Sequence, residues 1–316
     1  GGPLGIGVTD SATLAAGFAP TGTLTFVLYA VNDATCATPL FTSDAIAVSG
    51  NGTYASTPAF VPPAVGTYRW RAFYGGDANN AAIAGACGAA RESVAIAKVT
   101  PLLTTVATAG GAIGTAVGDQ ATLAGGAAPT GTLRFRLYGP DDLACANAAR
   151  FTSAIVTVNG NGTYASTPAF TPAAAGTYRW RATYSGDASN AAVTGPCNDT
   201  GENVAIAQTV PVIATAASAG GAIGTALTDK ATLSGGTAPT GAITFVLYGP
   251  GDATCAGAPV FTSAATAVNG NGAYTSTPAF VAGTAGVYRW RAFYGGDANN
   301  TAVGGACNDA GESATI

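Results

Sequence analysis

Histidine and methionine are both missing from this 316-residue chain, and lysine occurs only at Lys98 and Lys230. Without histidine the chain lacks the commonest general base and metal ligand. Charged residues make up only 9%, with a net charge of -4. That excludes a solvated polyelectrolyte, and it excludes the clustered cations that nucleic acid demands. No apolar run reaches the roughly 18 to 20 residues of a membrane span, and no segment shows a helical stripe. With two lysines at non-equivalent positions, a repeated lysine isopeptide cross-link is excluded by count.

What is present is repetition. Cys36, Cys145 and Cys255 lie 109 and 110 residues apart, and Trp70, Trp180 and Trp290 are 110 apart. The segment from Thr67 to Asn80 returns at Thr177 to Asn190 and again at Val287 to Asn300. A period of about 110 residues is a whole-domain repeat rather than a solenoid unit. The boundaries fall near Lys98 and Gln208, dividing the chain into 1–98, 99–208 and 209–316. The joins carry Pro101 and Pro211 and no Gly/Ser spacer, so adjacent copies are expected to be stiffly linked. Copies two and three open with apolar strands at Leu102 to Thr108 and Val212 to Ala217, whereas copy one begins at the equivalent of Gly110-Gly111. Copy one is either a window cut from a longer array or a terminus whose open edge takes a neighbour's strand.

Alternation with period two runs through each copy. Leu24, Phe26 and Leu28 share one face. Arg134 and Arg136 replace Thr25 and Val27 in copy two, which turns that other face outward. By the same parity Trp70, Trp180 and Trp290 are core residues, each expected to find a partner for its N–H. Tyr68, Tyr178 and Tyr288 lie on the same face. Asn51-Gly52 and Asn161-Gly162 read as tight hairpin turns. Pro58, Pro168 and Pro278 read as strand ends. Seven or so short strands per copy, with turns every 8 to 12 residues, describe an all-β chain of three tandem immunoglobulin-like antiparallel sandwiches, the first without its opening strand.

The six cysteines fall two to a copy, with separations of 51, 52 and 52 residues. The expected disulfides are Cys36–Cys87, Cys145–Cys197 and Cys255–Cys307, one clamping each interior. Each is worth roughly 4 kcal/mol on the chain-entropy model, and the set places the protein in an oxidising, extracellular compartment. Two cysteines per copy cannot make a four-ligand zinc site.

Pro20 to Phe26 (Pro-Thr-Gly-Thr-Leu-Thr-Phe) and Gly66 to Ala78, with its Tyr-x-Trp-x-Ala-x-Tyr-x-Gly-Asp-Ala pattern, resemble the bacterial immunoglobulin-like repeats of surface proteins and adhesins. The resemblance runs through all three copies. It implies an extracellular stalk, spacer, adhesion array or filament subunit. It also implies a "tyrosine corner" at Tyr68, Tyr178 and Tyr288. The cysteine pair departs from the commonest members.

Gly76-Asp77, Gly186-Asp187 and Gly296-Asp297 read as Asx-capped turns rather than calcium loops, which want six or more oxygens. The remaining acids also read as turn residues. Sequons stand at Asn51, Asn161, Asn198 and Asn299. On the outward face, Val27 and Phe73 in copy one and Val246 and Phe293 in copy three correspond to Arg136 and Thr183 in copy two. They form a candidate lateral contact for self-association with neighbouring copies. The expected protein is not an enzyme and uses no cofactor or metal. It is a structural array or, alternatively, an adhesin that takes a glycan or protein through its end loops. For the adhesin reading, which needs copy-specific loop residues, the modest variation is Asn32-Asp33-Ala34 against Asp141-Asp142-Leu143 and Gly251-Asp252-Ala253.

Overall fold

The computed structural model describes all 316 residues, and every regular element in it is a β-strand. In copy two the strands Leu102–Ala107, Asp119–Ala124 and Gly162–Ala165 form a three-stranded sheet. Gly111–Ala112, Asn203–Ala207, Gly176–Tyr184, Thr132–Tyr138 and Phe151–Thr152 run in that order across the second sheet. Every pair is antiparallel except Gly111–Ala112, which runs parallel to Asn203–Ala207. An opening segment that pairs first with one sheet and then switches to the other, parallel to the closing strand, gives an immunoglobulin-like sandwich.

Gly110, at that switch, passes so close to the closing strand that a Cβ there would sit 1.9 Å from the Ala205 carbonyl oxygen. Only glycine permits the approach.

The alternating pattern lands as the parity demanded. Leu133, Phe135 and Leu137 are fully buried, as are Trp180, Ala182 and Tyr184 on the neighbouring strand. The register sets Leu137 opposite Trp180 and Phe135 opposite Ala182, so a small residue faces a large one. Three separate buried clusters result, each drawn from one copy of the repeat.

Phe41, Phe151 and Phe261 meet the three tryptophans edge-on, with ring centroids 5.8 to 6.0 Å apart. The expected hydrogen-bond partner for the indoles is not found. The Nε1 atoms of Trp70, Trp180 and Trp290 are buried without an acceptor, because the neighbours that fill this space are aromatic and aliphatic.

Two further expectations are corrected. Asn51-Gly52 and Asn161-Gly162 do not turn hairpins. The strands before and after each belong to different sheets: Ile46–Ala47 pairs with Thr23–Tyr29, while Gly52–Ala55 pairs with Ser11–Leu14. The Asn51 side chain instead accepts from the Gly17 amide at 2.9 Å and donates to the Gly17 carbonyl at 2.8 Å, tying a distant loop to the crossover. The disulfides, for their part, form within each copy as expected but sit beside the interior rather than in it, with Cys36, Cys145 and Cys255 buried and Cys87, Cys197 and Cys307 half-buried. The structure pairs Cys36–Cys87, Cys145–Cys197 and Cys255–Cys307. All six lie outside the three hydrophobic clusters. Each bridge joins the loop after the Phe26-type strand to the loop ahead of the closing strand.

The linkers are bonded into the copy that follows. Val99 receives the Ala191 amide at 2.7 Å and donates to the Ser189 carbonyl at 2.9 Å. Thr209 repeats this with Thr301 and Asn299. The Lys98 ammonium reaches the Asp187 carbonyl, and Gln208 reaches the Asp297 carbonyl at 2.8 Å. At the second junction the Asn299 side chain also accepts from the Ala175 amide of copy two at 3.0 Å. No helix is long and apolar enough to cross a membrane.

Candidate functional site

Each sequence-derived candidate has a defined place. Tyr68, Tyr178 and Tyr288 are buried at the start of the tryptophan strand, with their hydroxyls donating to the carbonyls of Ala64, Ala174 and Thr284, four residues upstream, at 2.8, 3.1 and 3.1 Å. That is a tyrosine-corner geometry.

The Gly-Asp loops are closed networks. Asp187 Oδ2 accepts from the Thr130 amide at 2.6 Å, from the Thr130 hydroxyl at 3.1 Å and from the Tyr184 hydroxyl at 3.0 Å. Its Oδ1 accepts from the Ser189 and Asn190 amides at 2.7 and 2.8 Å. Burial pushes this carboxyl up, but the bonds from Thr130 and Asn190 outweigh it and hold the group well below the usual carboxylate range. Asp77 and Asp297 are held down in the same way. The same network, after burial, pushes the Tyr184 hydroxyl up to about 12. Oxygens already saturated by protein donors make a poor cation site. The loop ties the end of the Gly176–Tyr184 strand to the crossover loop that leads into its neighbour Thr132–Tyr138.

The side chains of the sequon residues are likewise engaged. Asn161 bonds Gly126, Asn198 reaches the Leu143 carbonyl and Arg179, and Asn299 bonds Ala175.

The proposed lateral patch is partly covered. Val27, Phe73, Val246 and Phe293 are half-buried. The Arg71 guanidinium lies over the Phe73 ring at 4.8 Å, and Arg291 lies over Phe293 at 4.7 Å. Such cation–π stacking shields the apolar surface. In copy two the same position holds Thr183, bonded to Thr194 at 3.3 Å. Arg179, which alternates with the core residues Tyr178 and Trp180, is buried as well. It is buried because Asn198, on the disulfide-tied loop, folds over its guanidinium.

Reading every acid as a turn residue misses one constellation. At the edge of each sandwich two carboxyls face each other: Asp10 and Glu92, Asp119 and Glu202, Asp229 and Glu312. In copies two and three all four carboxyls are at most 3% exposed, with no donor to their side-chain oxygens. Burial raises Glu202 to about 8, with the adjacent Asp119 charge adding to it, and raises Glu312 to about 7. Asp119 and Asp229 are raised to about 6, again by burial. Two acids in one dry site cannot both ionise cheaply, so each pair retains a proton near neutral pH.

Thr105 and Thr215, on the opening strands, lie beside Glu202 and Glu312 without reaching them at hydrogen-bond distance. The sequence signal was available: an acid recurs at the head of the Asp119–Ala124 strand or its equivalent in all three copies, matched by an acid shortly before the closing strand.

No protein-family model matches the chain, and no curated protein matches it in sequence. Among solved structures it aligns with a putative membrane anchored protein from Corynebacterium diphtheriae at 12% identity and TM-score 0.31, covering 99% of this chain and 88% of that one. It also aligns with a marsupial T cell receptor at 11% identity and TM-score 0.26, covering 97% of each chain. A third alignment, with Escherichia coli alpha-2-macroglobulin, has 11% identity and TM-score 0.22 and covers 99% of this chain and 34% of that one.

Proposed function

We propose that this chain is a non-enzymatic extracellular structural protein, a rigid tandem immunoglobulin-like array that serves as a surface stalk or as the subunit of a filament or sheath. One observation carries the reading. Near-identical sandwiches follow one another, each with its own core and disulfide, and each linker is hydrogen-bonded into the next copy at Val99 and Thr209. A mechanical spacer needs repetition and stiff joins, and needs no unique site. Three disulfides with no free cysteine support the extracellular assignment. In copies two and three the opening strand seals the carboxyl pairs from any substrate.

Negative-stain electron microscopy and small-angle scattering of the purified chain test the reading. A uniformly extended particle, single or polymerised, is the expected result. A broad distribution of interdomain angles would remove it.

The adhesin reading is favoured by one loop. Leu143, at the disulfide end of copy two, is 68% exposed where copies one and three carry Ala34 and Ala253. Leu143→Ala abolishing adhesion to a glycan- or protein-coated surface would favour it over the spacer.

A further inference from the structure

The chain's shortage of charge hides one local concentration. Five of its ten arginines fall in copy two. Leu133, Phe135 and Leu137 point into the core, so Arg134 and Arg136 between them stand on the outer face of the sheet. Trp180 and Ala182 place Arg181 on that face in the same way. The register sets Arg136 directly opposite Arg181, and Arg134 opposite Thr183. Residues so placed are about 5 Å apart across the strands and about 7 Å apart along one. Like charges directly opposite each other destabilise a sheet. The fold does not require this pair, because Val27 faces Arg71 in copy one and Val246 faces Arg291 in copy three.

No anion within the chain answers this cluster. Every hydrogen bond that an arginine makes goes to a backbone carbonyl or an Asn side-chain oxygen, none to a carboxylate. Of copy two's six acids, Asp119 and Glu202 are buried, and Asp142 and Asp187 are engaged by backbone amides. Asp141 and Asp199 lie in the loops at the disulfide end. In copies one and three the equivalent arginine rests on a ring, Arg71 on Phe73 and Arg291 on Phe293. Copy two carries Thr183 there, so Arg181 has no such ring to lie on. Its Nε donates to the Gly195 carbonyl at 3.0 Å, which leaves both terminal amino groups free. Hydroxyls surround the three guanidinia: Thr152 opposite Arg136, and Thr183 with Thr194 beside Arg134.

We propose that this face of copy two binds an acidic polysaccharide, a linear polyuronate with a carboxylate on each sugar. Arg134, Arg136 and Arg181 pair with neighbouring carboxylates, each through the planar fork that matches both carboxylate oxygens. The threonines take the sugar hydroxyls. The ligand's charge removes the repulsion between Arg136 and Arg181. Nucleic acid fits less well, since this face of copy two offers no aromatic ring on which a base could stack. A second copy of this chain also fits less well. Its Asp33, Asp77, Asp252 and Asp297 carboxylates are engaged by its own amides. The site is additional to the spacer role, which particle shape tests separately.

The test titrates the whole chain with an oligogalacturonate in a calorimeter. One site per chain is expected at about 0.05 M salt, weakening as salt rises toward about 0.5 M. Arg134→Thr with Arg136→Val gives copy two the residues that copies one and three carry at these positions, Thr25 and Val27 or Thr244 and Val246, so folding is not threatened. Binding is expected to fall about tenfold or more. The reciprocal change in copy three, Thr244→Arg with Val246→Arg and Phe293→Thr, is expected to create a second site on the chain. Leu143→Ala is expected to leave the affinity unchanged, which separates this face from the end loop. No binding at millimolar concentration, undiminished binding by the Arg134→Thr, Arg136→Val chain, or equal binding of uncharged dextran would each overturn the proposal. Tighter binding of single-stranded DNA of equal charge would overturn the choice of ligand.

Discussion

Copies one and two share nearly all of their core residues, yet the same side chains live in different surroundings. Phe26 and Phe135 are both fully buried, and Trp70 and Trp180 are 2% and 0% exposed. The two interiors differ at one edge. There Leu14 and Ala72 are half-buried, where Leu123 and Ala182 are sealed. The carboxyl pair follows suit. Glu92 is raised to about 7 by burial and by Asp10, and Glu202 to about 8. The opening strand changes the surroundings of one edge and leaves the rest of the core alike. It finishes the edge and dries the acid pair.

The comparison can be tested from its strongest consequence downward. Trp180→Ala and Trp70→Ala are each expected to destabilise their own copy by about 3–5 kcal/mol, as truncation of a fully packed tryptophan does. Hydrogen exchange of peptides from each copy reads this copy by copy. Unequal losses would show that the missing strand loosens the whole of copy one rather than its edge.

Leu123→Ala is expected to cost about 2–5 kcal/mol and Leu14→Ala less than half of that, because a half-covered side chain gives up less transfer free energy and leaves no closed cavity. Equal losses in denaturant titrations would contradict the edge picture.

The acid pairs make the comparison pH-dependent. Below about pH 4.5 a glutamic acid is protonated whether the chain is folded or unfolded, and the pair costs nothing. As pH rises, the unfolded chain releases protons that the folded pair retains, so stability falls through the window up to about 8 in copy two and about 7 in copy one. Copy two is therefore expected to exchange faster at pH 8 than at pH 5 after correction for intrinsic rates. Glu202→Gln is expected to flatten the dependence, and Glu92→Gln to change copy one less. A stability that rises from pH 5 to 8 and is unaffected by Glu202→Gln would rule the pair out as its source.

The smallest effect concerns the joins. Asn299→Ala removes the bond to Ala175 and is expected to cost about 1 kcal/mol at the second junction. Ser189→Ala leaves the first junction unchanged, because its contact there is made by the backbone carbonyl. Limited proteolysis at Lys98 and downstream of Gln208 distinguishes the two.

Much of this is legible in the sequence. Swapping Thr25 and Val27 for Arg134 and Arg136 in copy two exposed the parity of the Phe26-type strand, because a strand repeats every two residues and arginine resists unpaired burial. The cysteine spacing and the 110-residue period were equally direct. The role of Asn51 was hidden. Its partner Gly17 lies 34 residues away, and an Asn-Gly pair looks the same in a hairpin as in a crossover between sheets. The carboxyl pairs were hidden for a related reason. Asp119 and Glu202 are 83 positions apart in the chain, and nothing local says that the two acids point into one dry pocket.

Sequence alone determined which residues turn inward, how many times the pattern recurs and which sulfurs have neighbours to meet, because these follow from short-range alternation and counting. Tertiary structure decided where the disulfides sit relative to the core, and that two acids share a buried site. Those outcomes depend on which distant segments pack together, and chain order does not carry that information.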